Sequence, residues 1–250
     1  MKTTITNLDG ESAGEIELPS IFETPYRPDL IQRAVEVAAA NAAQPYGTDP
    51  FAGKRTSAVS IGTGHGRARV PRSNNRGRRV PQARGGRRAH PPKPETERGK
   101  SMNEQERQLA TQSAVAATAD ASLVTERGHV VGSRDTFPIV VSDEFVELTK
   151  TREVASLLDE LDLSGDIERA EEGRSIRAGR GKTRGRKYRQ PKSILFVTSS
   201  QQGQARGARH LSGADVGMAS QIDVNDLAPG GHAGRLTVWT EAAIEEVGSR

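Results

Sequence analysis

The sequence predicts an α/β fold with a mainly parallel sheet, interrupted by a long basic insertion. Three observations predict it. Two nearly all-apolar runs, 137–141 and 193–198, read as strands buried on both faces. Segments with helical spacing alternate with such runs, as layered α/β chains require. A 47-residue stretch, 54–100, has eight hydrophobic residues (Ala58, Val59, Ile61, Ala68, Val70, Val80, Ala83 and Ala89) and cannot bury enough surface to fold alone.

The elements follow in order. Residues 3–8 and 15–18 read as two short strands, and Asp9-Gly10 and Gly14 supply turn chemistry between them, which predicts a hairpin. Pro28 and Asp29 open a helix to about Ala43, with Leu30, Ile31, Ala34, Val35 and Ala38 on one face; Pro45, Gly47 and Pro50 end it. The basic stretch shows no sustained period of 2 or 3.6 and is punctuated throughout by Gly and Pro. Loops this long inside a domain are functional or disordered. Asn103 and Glu106 form a capping pair for a helix that turns Leu109, Ala110, Ala114 and Ala117 inward. A further helical turn or two is expected over 120–127. After the strand at 137–141, a helix broken near Lys150 and Thr151 runs from Asp143 to Leu163, with Val154, Leu157, Leu158 and Leu161 inward. The strand at 193–198 precedes a short helix at 204–211, a weak strand at 215–219 and a better one at 236–240. A closing helix at 240–247 takes Thr240 as its N-cap. The expected organisation is one globular domain over 1–250, interrupted by an extended loop at 44–101, with a second basic segment at 173–192.

The net charge of +4 conceals segregation. Residues 54–100 carry fourteen basic side chains and two acidic ones, a net of +12. Residues 174–192 carry nine basic side chains and no acid, a net of +9. The remainder holds 13 bases against 30 acids, a net of −17. An acidic body with two basic limbs points to a polyanion partner. The limbs hold 17 Arg against 6 Lys. Arg gives planar, bidentate phosphate contacts and stacks on bases, which suits structured RNA. Tyr188 is the lone aromatic of 174–192, so folded RNA read by shape and backbone fits better than a single-strand stacking platform. The acidic remainder suits a protein working in concentrated salt. At molar salt the Debye length is roughly 3 Å, so binding must rest on direct contacts.

Other chemistry is poorly supported. Zero Cys excludes disulfides, Cys-ligated zinc, iron–sulfur clusters and thiol catalysis. No apolar run approaches the roughly 20 residues of a membrane span, and the first residues lack a signal-peptide pattern; the expected compartment is the cytoplasm. The Gly-Thr-Gly-His-Gly run at 62–66 has Arg67 where a dinucleotide fingerprint needs Gly, and no helix is expected after it. Gly181-Lys182-Thr183 imitates the tail of a P-loop, but position 176 is Ile and a poor helix start follows. His65, His90, His129, His210 and His232 have no metal-ligand spacing; the last three read as surface residues. No Gly-x-Ser-x-Gly elbow exists, although Ser/His/Asp catalysis stays open at this level.

Several stretches resemble a known family. They are Gly-Thr-Gly-His-Gly-Arg-Ala-Arg-Val-Pro at 62–71, Arg-Arg-Val-Pro-Gln at 78–82, and Arg-Ala-His-Pro-Pro-Lys at 88–93. Asn-Glu-Gln-Glu-Arg-Gln-Leu-Ala at 103–110 and Ser-Ala-Val-Ala-Ala-Thr-Ala at 113–119 follow. Then come Ile-Arg-Ala-Gly-Arg-Gly-Lys-Thr-Arg-Gly-Arg-Lys-Tyr at 176–188, Asp-Leu-Ala-Pro-Gly-Gly at 226–231 and Leu-Thr-Val-Trp-Thr-Glu at 236–241. In this order, over nearly the whole chain, they resemble the universal large-subunit ribosomal protein family L-four, in its archaeal, halophilic type. His65 departs from the family, which usually has Arg there.

The resemblance implies a three-layer α/β/α domain with a four-stranded, mainly parallel sheet on the ribosome surface, and no catalysis or cofactor. It implies a long, extended, non-globular basic loop that threads the large-subunit RNA towards the constriction of the peptide exit tunnel, near another ribosomal protein. Each arm of that loop has about 28 residues, which at ~3.3 Å per residue reaches at most about 90 Å. The expected RNA-binding residues of the loop are Lys54, Arg55, Arg67, Arg69, Arg72, Arg76, Arg78, Arg79, Arg84, Arg87, Arg88, His90 and Lys93. Those of the second segment are Arg177, Arg180, Lys182, Arg184, Arg186, Lys187 and Arg189. The tunnel tip would hold Gly62, Gly64, His65, Gly66, Arg67 and Arg76. Partners would be large-subunit RNA and neighbouring ribosomal proteins, with no membrane and no small-molecule substrate.

Overall fold

A computed structural model of the chain describes residues 1–132, 134, 136–201 and 205–249. It divides into two compact units, residues 1–39 with 101–250, and residues 40–100.

The first unit is built on a sheet. β1 (Lys2–Thr6) and β2 (Ser12–Glu17) form the expected antiparallel hairpin. After α1 (Pro28–Asn41), the second unit contributes only the two-residue strands β3 (Arg72–Ser73) and β4 (Arg76–Gly77). Helices α2 (Glu104–Ala116) and α3 (Ala121–Glu126) lead to β5 (Ile139–Val141). A 3-10 turn at Asp143–Glu147 and helix α4 (Thr151–Glu160) occupy the span expected to be a broken helix. Then come α5 (Ser164–Glu172), the short strands β6 (Ser175–Ile176) and β7 (Tyr188–Arg189), and the buried β8 (Leu195–Thr198). β9 (Asp215–Met218), α6 (Val224–Leu227), β10 (Thr237–Thr240) and α7 (Glu241–Gly248) close the chain.

The sheet has six strands in the order β2-β1-β5-β10-β8-β9, not four. All neighbours pair in parallel except β1 with β2. The two additional strands lie at the edges. β2 is carried there by its hairpin, and β9 has no fully buried residue. A central strand must be apolar on both faces, whereas an edge strand is paired on one side only and tolerates residues such as the Asp and Gly of β9.

Alternation along the central strands sorts their side chains onto two faces. Val140, Leu195, Val197 and Trp239 enter one core with Ile31 and Ala34 of α1, Ala110 and Ala114 of α2, and Ala243, Ile244 and Val247 of α7. Ile139, Val141, Phe196 and Val238 enter the other with Phe145, Val124 of α3, and Val154, Leu157 and Leu158 of α4. Phe22 meets Trp239 edge-on at 5.6 Å in the first core, and Phe145 stacks on Phe196 at 5.2 Å in the second. The Ala-rich stripe of α2 is what allows its backbone to pack closely.

Three local expectations need correction and one needs refinement. Asn103 sits at the N-cap of α2 without a side-chain capping bond; the partner expected for it, Glu106, is bonded to Arg33 instead. Thr240 stands at the N-cap of α7 as expected but makes no side-chain capping bond, and its hydroxyl is buried with no partner among the described residues. The helix expected at 204–211 is a 3-10 turn, Arg206–His210, with residue 204 outside the described residues. Helix α5 was not expected, because Ile167 and Ala170 alone make too thin an apolar stripe among its charges.

The second unit has Ala58 as its one buried hydrophobic residue. Turns and backbone bonds shape it. Arg72 N–H donates to the Val59 carbonyl at 3.2 Å, and the Ser60 hydroxyl to the Arg69 carbonyl at 3.0 Å. These close a loop over 61–68, in which Gly62, Gly64 and Gly66 all take positive φ. β3 and β4 pair antiparallel around Asn74 and Asn75, whose φ values of 50° and 61° match a two-residue hairpin turn. This hairpin was not expected from the sequence; the Asn-Asn pair is the local feature that favours its turn.

Candidate nucleic-acid interface

In the second unit, ten of the thirteen expected binding residues are exposed: Lys54, Arg55, Arg67, Arg69, Arg76, Arg79, Arg84, Arg88, His90 and Lys93. Arg72, Arg78 and Arg87 are half-buried. The guanidinium groups divide into two sets. Arg72 reaches the Asn75 carbonyl at 3.1 Å, Arg78 that of Arg84 at 3.3 Å, and Arg79 that of Thr56 at 2.8 Å. Arg55 is paired with Asp49. These side chains hold the unit's own turns. Arg67, Arg69, Arg76, Arg84, Arg87 and Arg88 have no side-chain partner among the described residues, so their donors are not committed within the protein, and all but Arg87 are exposed. Gly62, Gly64, His65, Gly66 and Arg67 share the open loop over 61–68, whereas Arg76 stands on β4 of the neighbouring hairpin.

Arg98 was missing from the sequence-based set. It donates to the Gln44 carbonyl at 3.0 Å and the Tyr46 carbonyl at 2.8 Å, and it stacks over the Tyr46 ring at 3.9 Å. It ties the two ends of the unit together. A Tyr-Arg pair separated by half a hundred residues has no signature in sequence.

The second basic segment is a small hairpin. Ile176 pairs with Tyr188 and Ser175 with Arg189. A 3-10 turn at Arg180–Thr183 stands between. Arg177, Arg180, Lys182, Arg184, Arg186, Lys187 and Arg189 are all exposed. Arg174 lies over the Tyr188 ring at 4.2 Å and Lys187 at 5.3 Å. Gly181, Lys182 and Thr183 belong to this exposed turn, not to a strand-loop-helix cradle for phosphate, and no helix follows the glycines at 62–66.

Beneath the hairpin lies a buried ionic network. Asp166 is fully buried and accepts from His129 Nδ1 at 3.1 Å, Arg169 Nε at 2.9 Å, Ser193 Oγ at 2.7 Å and Val130 N–H at 3.1 Å. Burial alone would raise its pKa. The bonds from His129, Arg169 and Ser193 outweigh that and hold the carboxyl well below the usual carboxylate range. His129 is shifted down, chiefly by burial and also by the charges of Arg169 and Arg127, which favours the neutral imidazole. Arg169 also donates to the Lys192 carbonyl at 2.9 Å. Arg235, 1 % exposed, donates to the Ser193 carbonyl at 2.9 Å and to Asp215 at 2.6 Å, and Lys192 meets Asp215 at 2.7 Å. The C-terminal root of the hairpin is therefore pinned at two successive residues, Lys192 and Ser193.

His129 is thus a buried residue, against the surface placement expected from sequence; His210 and His232 are exposed. Ser193, His129 and Asp166 do meet, but not as a nucleophilic relay. That relay needs the hydroxyl on the imidazole, and here both groups donate to the same carboxylate. Among the described residues no three His, Asp or Glu side chains are grouped to hold a metal ion. No helix among them is long and apolar enough to cross a membrane.

The residue pattern of the ribosomal protein L4/L1 family matches residues 16–250. The chain is 60 % identical over 250 residues to the large ribosomal subunit protein uL4 of Haloquadratum walsbyi, covering 100 % of both chains. It is 59 % identical to the protein of that name from Halorubrum lacusprofundi, again over 100 % of both. With the one from Methanocaldococcus jannaschii it shares 51 % over 251 residues, covering 100 % of this chain and 99 % of that one.

Proposed function

The chain belongs to the ribosomal protein L4/L1 family, and from that premise we propose that it is a structural, non-catalytic constituent of the large ribosomal subunit in the cytoplasm of a salt-adapted archaeon. It binds folded large-subunit RNA through the two basic segments and meets neighbouring ribosomal proteins. The observation that carries this reading is the division of labour among the arginines. Those without a partner in the second unit, and all seven expected binding residues of the hairpin, present their donors outward on segments shaped by backbone and by Gly, where phosphate can be approached closely.

Residues 44–101 act as an extended arm through packed RNA towards the exit tunnel, with Gly62, Gly64, His65, Gly66, Arg67 and Arg76 nearest the tunnel. Open positive-φ glycines let the backbone lie against RNA without side-chain obstruction. The hairpin at 174–192 grips RNA nearer the sheet. Sedimentation through a high-salt gradient tests the assignment: stable co-migration with large subunits is expected. A chain that stays at the top of the gradient would overturn it.

A further inference from the structure

A cleft of about 690 Å³ opens beside the second basic segment, and none of the roles above uses it. One wall is the chain from Arg189 to Lys192, the C-terminal root of the hairpin. The apolar lining of the cleft is Leu123 of α3, Pro229 and the exposed ring of Tyr26. The floor holds polar groups fixed by the fold. Arg127 is tied to the Pro229 carbonyl at 2.9 Å, and burial with the nearby Arg235 and Arg169 charges pushes its pKa down to about 10. His129 also lines the cleft with its side chain 2 % exposed. Asp166 engages its Nδ1, which leaves Nε2 without a partner among the described residues and able to accept a hydrogen bond from a ligand. His232 and Glu126 stand at the rim.

This combination matches one chemical class. An apolar lining with an aromatic ring takes a planar heterocycle, a preorganised imidazole acceptor takes a ring or amino N–H, and the exposed guanidinium of Arg189 takes a phosphate. We propose that this cleft captures a single unstacked nucleotide of the RNA gripped by the 174–192 hairpin. The base would lie against the apolar lining of Tyr26, Leu123 and Pro229, with an N–H directed at His129 Nε2 and its phosphate at Arg189, beside the Lys192 that Asp215 pairs. The Glu126 carboxylate at the rim keeps the phosphate to that basic side. The inference deepens the RNA-binding reading and rests on it. Single-stranded or looped nucleotides are the usual targets of such pockets, because paired bases offer no face.

The test is ultraviolet crosslinking of the full chain assembled into large subunits, with adducts mapped by peptide, alongside the double variant Tyr26→Ala/His232→Ala. Neither side chain has a hydrogen-bond partner within the described protein, so the variant is expected to melt like the parent. Nucleotide adducts on Tyr26 or His232, and about tenfold weaker binding of the variant to large-subunit RNA, are expected. Because stacking is not ionic, that loss should persist from low to molar KCl, whereas the loss caused by Arg184→Ala should shrink with salt. Adducts confined to 54–100 and 174–192, with unaltered variant affinity, would overturn the cleft and leave the RNA-binding reading standing. No adducts anywhere would overturn both. A third arm offers AMP, GMP, CMP and UMP to the free protein. Binding of one of them as tight as that of RNA would assign the cleft to free nucleotides instead and overturn the proposal.

Discussion

Arginine does opposite work in the packed body of the first unit and in residues 40–100; the exposed hairpin at 174–192, although part of the first unit, behaves like the latter. In residues 1–39 with 101–250, Arg127, Arg169 and Arg235 are drawn into the protein and matched to carbonyls or to Asp166 and Asp215. In residues 40–100, arginines either fasten exposed turns, as Arg78, Arg79 and Arg98 do, or face outward without a partner, as Arg67, Arg69 and Arg88 do. The difference follows from the core. A unit with two hydrophobic layers can exclude water from an ion pair and hold it rigidly. A unit with one buried hydrophobic residue leaves its guanidinium groups in water, where internal bonds are weak and a polyanion can compete for them. The same side chain is structural where the surroundings are dry and available for binding where they are wet.

The largest expected effect lies in the dry network. Asp166→Ala removes the acceptor for His129, Arg169, Ser193 and Val130 and leaves the Arg169 charge uncompensated beside buried, unpaired donors. Chemical denaturation should show a loss of about 3–5 kcal/mol. A loss below about 1 kcal/mol would mean that water replaces the carboxylate and that the contrast between the units is overstated.

The next effect is a pH dependence confined to that network. His129 is depressed in the folded state, so folding favours its neutral form. Its contribution is present above the unfolded value near 6.5 and declines as pH falls below it. Asp166 is depressed too, so its contribution is present above roughly pH 4 and is lost as pH falls further. Both run the same way, and melting temperature should drop in two stages on acidification. Asp166→Asn should abolish the lower stage.

Outward arginines should behave differently. Arg184→Ala with Arg186→Ala should leave stability within about 0.5 kcal/mol. RNA affinity should weaken, and the slope of log affinity against log salt should lose about one unit for each phosphate contact removed. A titration series in KCl reads both numbers.

The smallest effect on stability belongs to Arg98→Ala. It deletes two carbonyl bonds and the Tyr46 stack on an exposed surface, so the melting of the sheet-bearing unit should not change. Limited proteolysis between residues 40 and 100 should accelerate several-fold, because the ends of that unit lose their clasp. Unaltered cleavage would show that the turns hold without it.

Much of this was legible in the sequence, for identifiable reasons. The runs at 137–141 and 193–198 read as buried strands, since stretches with four or five consecutive apolar residues in so charged a chain have to be hidden from water. The two basic segments were visible because charge at that density has to stay solvated or meet a polyanion. Helix α5 escaped because its apolar stripe is two residues, and β9 read as weak because an edge strand needs little hydrophobic pattern. His129 was misplaced because its partner Asp166 lies 37 positions away and neither residue carries a local signal. Arg235 was passed over for a related reason: an arginine just before a buried strand reads as a solvated flank until Asp215 is brought against it.

By itself, then, the sequence determined the periodicities, the punctuation and the segregation of charge. These are properties of neighbours along the chain, and they set the fold class and separate the acidic body from its basic limbs. The tertiary structure alone decided which charges are dry. Burial and pairing depend on residues tens of positions apart converging on one point. That convergence makes Asp166 an anchor, sets His129 in the lining of a cleft, and holds one set of arginines inward while the other stays exposed.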